Sequence, residues 1–146
     1  ILFYNAIISH ARLLPPDGLF RYLGLMLTTA GVLVIRQAFR VYSLQEFVGL
    51  KPQEGGKALG NRLRTDGILK RVRHPLYAGN LLVLLGFWLY IPTWANLITV
   101  GMAIGYIFIG IRLEERDLER QYGELYRQYK RQVPMLIPRF GRRGGI

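Results

Sequence analysis

The sequence contains no cysteine, and this absence excludes several kinds of site at the outset. Without thiols the chain has no disulfide framework, no thiolate metal site and no cysteine nucleophile. Acidic residues are also scarce, since 9 Asp and Glu stand against 20 Lys and Arg. The excess of positive charge is accompanied by no zinc-finger, RNA-recognition or basic-zipper pattern. We therefore predict neither a metal site nor nucleic-acid binding.

Apolar residues make up 51% of the 146 residues, although the net charge is +11. These two properties are compatible if apolar residues are grouped into membrane spans and basic residues into loops that face an anionic leaflet. The sequence begins at Ile1 without the charged n-region of a secretory signal peptide, and residues upstream of it can be missing. We predict one all-α domain over residues 1–146, a polytopic transmembrane helical bundle. We place it in the cell inner membrane, in contact with lipid.

One stretch, from Leu76 to Tyr90, has no charged residue, and a basic segment precedes it directly. The boundary reads Arg-His-Pro-Leu-Tyr-Ala-Gly over residues 73–79. Pro75 suits the first turn of a helix because its missing N–H removes no bond there, which places His74 at the N-cap. A helix start with neighbouring Arg and His side chains can receive an anion. A positive-inside anchor with an incidental histidine explains this heptapeptide equally well.

The other apolar runs predict the spans of the bundle. Residues 1–14 are too short to cross a bilayer and form a partial helix, whereas residues 19–40 form a full span. Residues 76–113 form a helical hairpin that turns at Pro92. Small residues on these spans predict close contacts between helices. They are Gly24, Gly31, Gly86, Gly101, Gly105 and Gly110.

A hairpin returns the chain to its starting side, so it predicts which charged segments meet. His74 and the residues after Arg112 should lie on the same, cytoplasmic side. The linker over residues 41–72 should lie there too, because the basic Arg40 ends the first span. Its first part has the apolar spacing of an amphipathic surface helix. Residues 114–140 should form an amphipathic cytoplasmic helix and tail after the hairpin.

Glu114 and Glu115 stand where the last span leaves the apolar layer, near the predicted level of His74. Carboxylates in such a position are costly unless a cation pairs with them. Glu119 and Glu124 lie further along the helix, where alternating charges usually form a solvated surface. We therefore predict that the two adjacent glutamates face the segment around His74.

Three segments of the chain follow one another in a distinctive order. They are residues 65–68 leading to 73–79, then Glu114-Glu115 after the hairpin, then residues 122–129 with Val133-Pro134. In this order they resemble the integral-membrane methyltransferases that include isoprenylcysteine carboxyl methyltransferase, the phospholipid methyltransferases and the methanethiol methyltransferase-like proteins. Together they cover roughly the C-terminal half of the chain, and the residues around Glu114 are most similar to the small-thiol branch.

The resemblance implies an S-adenosylmethionine site. Arg and His side chains suit the carboxylate of that cofactor, glutamates suit its ammonium, and tyrosines can pack against its adenine or sulfonium. We predict Glu115 and Arg131 as catalytic residues. The prenylcysteine enzymes place an arginine directly before Val-Pro, where this chain has Gln132 and carries Arg131 one position earlier. The predicted cofactor-binding residues are Arg73, His74, Pro75, Tyr77, Gly79, Glu114, Glu115, Tyr126 and Tyr129.

The predicted function is methyl transfer from S-adenosylmethionine to a lipophilic or small acceptor at the cytoplasmic membrane interface. An isoprenylcysteine carboxylate, a lipid amine and a small thiol are all open as acceptors. A thiol or an amine needs a base, for which the second glutamate or His74 is nearest, whereas a carboxylate needs none. The alternative is a non-enzymatic membrane subunit, or a small-molecule carrier whose path is lined by Asn80 and Glu114. That alternative does not explain the ordered set of motifs.

Overall fold

The computed structural model describes residue 13, residues 18–41, residue 63 and residues 65–138. Within this part of the chain the order of elements confirms the all-helical prediction. A 3₁₀ turn precedes the second of four α-helices and spans Gly67–Lys70. The helices are α1 Gly18–Val41, α2 Pro75–Tyr90, α3 Trp94–Tyr122 and α4 Glu124–Gln132. The partial helix predicted before residue 15 and the surface helix predicted after residue 41 fall outside the described residues.

Two of the helices are long and apolar enough to cross a membrane by length and composition. They lie over Gly18–Arg40 and Trp94–Tyr122, and each contains a stretch of 18 residues apolar enough to cross a bilayer. Helix α2 has only 16 residues, about 24 Å at ~1.5 Å per residue, which is shorter than a hydrocarbon core of about 30 Å. Many exposed side chains in the apolar stretches of α1 and α3 are large and apolar, as contact with lipid requires. They include Leu25, Met26, Val32, Ile98, Met102 and Ile109.

Helices α1 and α2 touch along a seam of glycines. A Cβ atom placed on Gly24 would lie 2.6 Å from the carbonyl oxygen of Gly86, and one on Gly31 would lie 2.6 Å from the carbonyl oxygen of Gly79. The two helices run antiparallel, because the earlier glycine of α1 meets the later glycine of α2. Small residues allow such a close approach of two backbones, and a side chain would prevent it. The predicted packing role of Gly24, Gly31 and Gly86 is confirmed.

The described part of the chain shows no such contact for Gly101 and Gly105 of α3. A Cβ atom on either glycine would meet nothing within 4 Å in the described part of the chain. At Gly110 the nearest atom to such a Cβ is the Tyr77 hydroxyl oxygen, at 3.6 Å. The reason is that α2 directs its own glycines, Gly79 and Gly86, toward α1. Helix α3 therefore meets α2 near the Tyr77 end, where the charged segments also meet.

The sequence predicts that the hairpin ends before residue 114 and that a separate helix begins there, but the break between helices lies further along the chain. Helix α3 continues without a break through Glu114 and Glu115 to Tyr122. Gly123, with φ 55° and ψ −126°, then ends α3 and begins α4. A positive φ of this kind is readily adopted only by glycine. The chain turns here, so that α4 lies back beside the end of α3.

Candidate functional site

The start of α2 has the predicted arrangement, with His74 at the N-cap and Pro75 in the first turn. The His74 side chain makes no hydrogen bond to the helix end. Its Nε2 atom instead lies 3.1 Å from Oε1 of Glu115 on α3, and the residue is only 4% exposed. The predicted approach of the two charged segments is therefore confirmed.

Glu115 is at the centre of a cluster of side chains that also contains Arg73, His74 and Lys130. Its Oε1 atom lies 2.8 Å from Nη1 of Arg73 and 3.1 Å from Nε2 of His74, and its Oε2 atom lies 2.9 Å from Nζ of Lys130. The glutamate side chain is 10% exposed. A carboxylate at that depth is stable only when cationic partners compensate its charge. Glu115 is thus already engaged by groups of the protein.

Lys130 is a member of the cluster that the sequence interpretation missed. Its Nζ atom lies 2.9 Å from Glu115 and 2.9 Å from Glu119, so it bridges the two carboxylates. Hydrogen bonds that Lys130 donates to these glutamates, first to Glu115 and then to Glu119, raise the pKa of Lys130 above its ordinary value. Glu119 is consequently part of this network rather than only a solvated residue. Lys130 and Glu119 are 11 residues apart, which is not a neighbour spacing within one helix, so only the turn at Gly123 brings them together.

Glu114 points to a more open environment than Glu115. Its Oε2 atom lies 3.7 Å from Nδ1 of His74, and its side chain is 44% exposed. The ring of Tyr77 stands 5.8 Å from the His74 ring, between centroids, and its hydroxyl faces Glu114. Arg73 and Lys130 lie within 2.9 Å of Glu115, whereas no Lys or Arg among the described residues forms an ion pair with Glu114. Glu114 therefore has the carboxylate that can bind a positive group from outside.

Several buried donors in the same region have no hydrogen-bond partner among the described residues. They are Nε and Nη1 of Arg73 and the hydroxyl of Tyr126. Nη1 is within ion-pair distance of Glu115 but is not aligned for a hydrogen bond. Burial, and next the charge of Glu115, raises the pKa of Tyr126 far above its usual range, so this hydroxyl keeps its proton. An unmatched buried donor costs about 1–3 kcal/mol. These donors would be satisfied by an anionic or carbonyl-bearing ligand.

Helix α4 and the residues after it pack against the start of α2. The Tyr129 hydroxyl donates to the carbonyl of Leu69 over 2.7 Å. The backbone N–H groups of Arg73 and His74 donate to the carbonyls of Pro134 and Met135, over 2.9 Å and 3.1 Å. Four separate segments, the 3₁₀ turn, the start of α2, the end of α3 and the region of α4, thus fix the cluster.

Comparison with known proteins assigns the family. A family model described as phospholipid methyltransferase matches residues 19–125. The chain belongs to this family. Its relatives include the methanethiol S-methyltransferase of Crocosphaera subtropica, 38% identical over 110 residues, which cover 75% of this chain and 38% of the relative. Methanethiol S-methyltransferase 1 of Bradyrhizobium diazoefficiens is 44% identical over 85 residues, covering 58% of this chain and 29% of that protein.

A relative with another acceptor in its name is the protein-S-isoprenylcysteine O-methyltransferase of Schizosaccharomyces pombe. It is 34% identical over 77 residues, which cover 52% of this chain and 33% of that enzyme. No solved structure matches the chain. The chain spans less than two fifths of the length of these relatives. The family resemblance carried by the three sequence segments is confirmed.

The structure brings only some of the residues predicted for a phospholipid methyltransferase family site into one cluster. Pro75 is fully buried at the start of α2 and shapes the helix end. Gly79 belongs to the glycine seam, since a Cβ atom there would lie 2.6 Å from Cγ1 of Ile35. Arg131 is exposed and makes no contact with the cluster among the described residues. Tyr126 is 1% exposed, and its ring lies 6.0 Å from that of Tyr129, between centroids.

Proposed function

We propose that this chain contains the cofactor site of a membrane-embedded methyltransferase that uses S-adenosylmethionine. Relatives named as methyltransferases support the activity, and two helices long enough to cross a bilayer support the location. The observation that carries the proposal is the pairing of unmatched donors on Arg73 with a half-exposed carboxylate on Glu114 at one helix start. A ligand that has both a carboxylate and an ammonium, as an amino acid does, matches this pairing.

The two adjacent glutamates have different roles in this proposal. Glu115 is held by Arg73, His74 and Lys130, and releasing it would leave the buried guanidinium of Arg73 without a counter-ion. We therefore assign it to positioning Arg73 and His74. Glu114, whose ion-pair contact among the described residues is the longer one of 3.7 Å to His74, would bind the cofactor ammonium, while Nε of Arg73 would bind the cofactor carboxylate. The ring of Tyr77, beside Glu114, would pack against the sulfonium or the adenine.

The chemistry requires alignment more than it requires a reactive side chain. S-adenosylmethionine, held between Arg73 and Glu114, would supply an electrophilic methyl group and would leave as the neutral thioether. The residues of the cluster would hold the reactants in line and keep water out. If the acceptor is a thiol, Glu114 or His74 in its neutral form is placed to remove its proton, since Arg73 and Lys130 occupy the Glu115 carboxylate.

We propose a small thiol as the acceptor. The supporting observation is that the relatives named for methanethiol are 38% and 44% identical, whereas the relative named for isoprenylcysteine is 34% identical. The test is acceptor profiling of the purified protein with methyl-labelled S-adenosylmethionine. Methanethiol, an isoprenylcysteine and a phosphatidylethanolamine would be offered in parallel. Label should appear in the thiol product; transfer only to one of the other two acceptors would contradict the proposed substrate, and no transfer would favour a subunit or carrier.

We further propose that the cluster lies on the cytoplasmic side of the inner membrane, with Pro92 on the opposite side. The excess of basic residues after α1 and α3 supports this orientation. The chain has no native cysteine, so single cysteines can be labelled without background. A membrane-impermeant thiol reagent should label Thr93→Cys from outside the cell and should label Arg127→Cys only after permeabilisation. Labelling of both positions from the same side would refute the orientation.

A further inference from the structure

A second basic site lies apart from the cluster, between the end of α1 and the 3₁₀ turn. A cavity of about 320 Å³ opens there, and none of the described residues that line it belongs to the His74–Glu115 cluster. We propose that this cavity, the α1 pocket, binds the phosphate group of an anionic membrane phospholipid. The described residues that line it are Gln37, Arg40, Gly67, Ile68 and Arg71.

The charges of the α1 pocket are not compensated by the described part of the chain. Arg40 and Arg71 are both exposed, and neither has an ion pair or a side-chain hydrogen bond among the described residues. Asp66 is the acidic residue nearest in sequence to Arg71, yet it does not line the cavity. Two guanidinium groups on one cavity repel each other, and an anion between them would remove that repulsion. Arginine forms paired hydrogen bonds to phosphate oxygens, and the Gln37 amide adds a neutral donor.

The position of the α1 pocket favours a lipid as the source of the phosphate. Val32 and Leu33, on the apolar part of α1, are 52% and 51% exposed, as side chains facing lipid tails would be. Arg40 follows Leu33 by two turns, about 10 Å along the helix at ~1.5 Å per residue. This step carries α1 from hydrocarbon to the level of the headgroups, where basic side chains attract anionic lipids.

The size of the cavity supports the same assignment. Pockets for small organic ligands measure roughly 300–1,000 Å³, and the α1 pocket, at about 320 Å³, reaches the lower end of that range. It can therefore hold a headgroup with its phosphate rather than only a bare ion. Its walls come from two elements distant in sequence, α1 and the 3₁₀ turn. A phosphate bound there would join the span to the turn whose Leu69 carbonyl accepts from Tyr129.

The test compares lipids that differ only in the phosphate-bearing headgroup. The purified chain in uncharged detergent is titrated with fluorescent phosphatidylglycerol, and with diacylglycerol of the same acyl chains. At ~0.15 M salt the screening length is about 8 Å, so distant charges contribute little. Saturable binding should be seen for phosphatidylglycerol. The variants Arg40→Gln and Arg71→Gln should each weaken it about tenfold, and the double variant should abolish saturation.

The matched control is Lys70→Gln, which removes one positive charge from the same 3₁₀ turn but not from the lining of the pocket. It should change the affinity less than about twofold. Inorganic phosphate, added as a competitor, separates the two sources: displacement of lipid only above millimolar phosphate supports the lipid, whereas binding of phosphate in preference to lipid overturns the lipid source. Equal binding of both lipids, or arginine variants that bind like the parent, overturns the α1 pocket as a phosphate site. S-adenosylhomocysteine binding should be the same in Arg40→Gln and in the parent, which separates this test from the proposed function.

Discussion

Helix α2 makes two contacts of opposite chemistry, and their difference separates architecture from function. Along its length it packs against α1 through glycines, with backbone against backbone and no space for a side chain. Directly before its first turn, Arg73 and His74 meet Glu115 of α3. Arg73 retains buried donors there that have no hydrogen bond among the described residues. A seam that is complete without a ligand has a structural role. A cluster with unmatched donors and one open carboxylate is a place where a ligand adds stability.

The largest expected effect comes from adding volume to the glycine seam. In Gly86→Leu a side chain would meet the carbonyl oxygen of Gly24 and the side chain of Thr28, and neither helix can withdraw without losing the whole contact. We expect a loss of more than about 3 kcal/mol in the free energy of unfolding, measured by denaturation in mixed micelles. Gly101→Leu is the control, because the described residues leave open space there. Equal losses in both variants would contradict the seam.

The next largest effect should come from Glu115→Gln, which removes the central charge of the cluster. The change leaves Arg73 and His74 buried beside a neutral amide. Breaking a buried ion pair on one side typically costs ~3 kcal/mol or more, so we expect a loss of about 3 kcal/mol in unfolding free energy. The exposed Asp117→Asn should lose less than about 0.5 kcal/mol in the same assay. A Glu115→Gln variant as stable as the parent would mean that the cluster does not position Arg73 and His74.

A pair of tyrosine variants sharpens the distinction between satisfied and unmatched groups. Tyr129→Phe removes the hydroxyl that donates to Leu69 and should lose about 1 kcal/mol of unfolding free energy. Tyr126→Phe removes a buried hydroxyl without a partner among the described residues, so the ligand-free protein should keep or gain stability. Thermal unfolding in detergent measures both. If Tyr126→Phe is the more destabilised variant, the Tyr126 hydroxyl of the parent has a partner in the ligand-free protein and is not a free donor for a ligand.

Much of the seam and of the cluster could be predicted from local sequence. Pro75 determines where α2 begins, and the uncharged run after it predicts that the chain continues from there as an apolar helix. The hairpin then places Glu114 and Glu115 opposite His74. These features follow from short-range rules, namely the lack of an N–H on proline, the length of an apolar run and the cost of an unpaired carboxylate.

The remaining features depend on contacts that no local pattern contains. Gly101 and Gly86 are both glycines inside apolar helices, yet only Gly86 meets another helix in the described part of the chain. Gly86 packs in this way because Gly24 of α1 lies opposite it, and Gly24 is distant from it in sequence. Lys130 reaches Glu115 because the chain turns at Gly123. Arg131 points about 100° away from Lys130 around α4, so it misses the cluster although it is the next residue.

The most direct test of the central claim is calorimetric titration of the purified protein with S-adenosylhomocysteine, the demethylated product. The parent should bind it with measurable heat. Glu114→Gln should weaken binding about tenfold, which corresponds to ~1.4 kcal/mol, with unchanged thermal stability, because the open carboxylate binds the ammonium. Asp117→Asn should bind like the parent. Absence of binding to the parent at millimolar ligand, or equal affinity of parent and Glu114→Gln, would contradict the account.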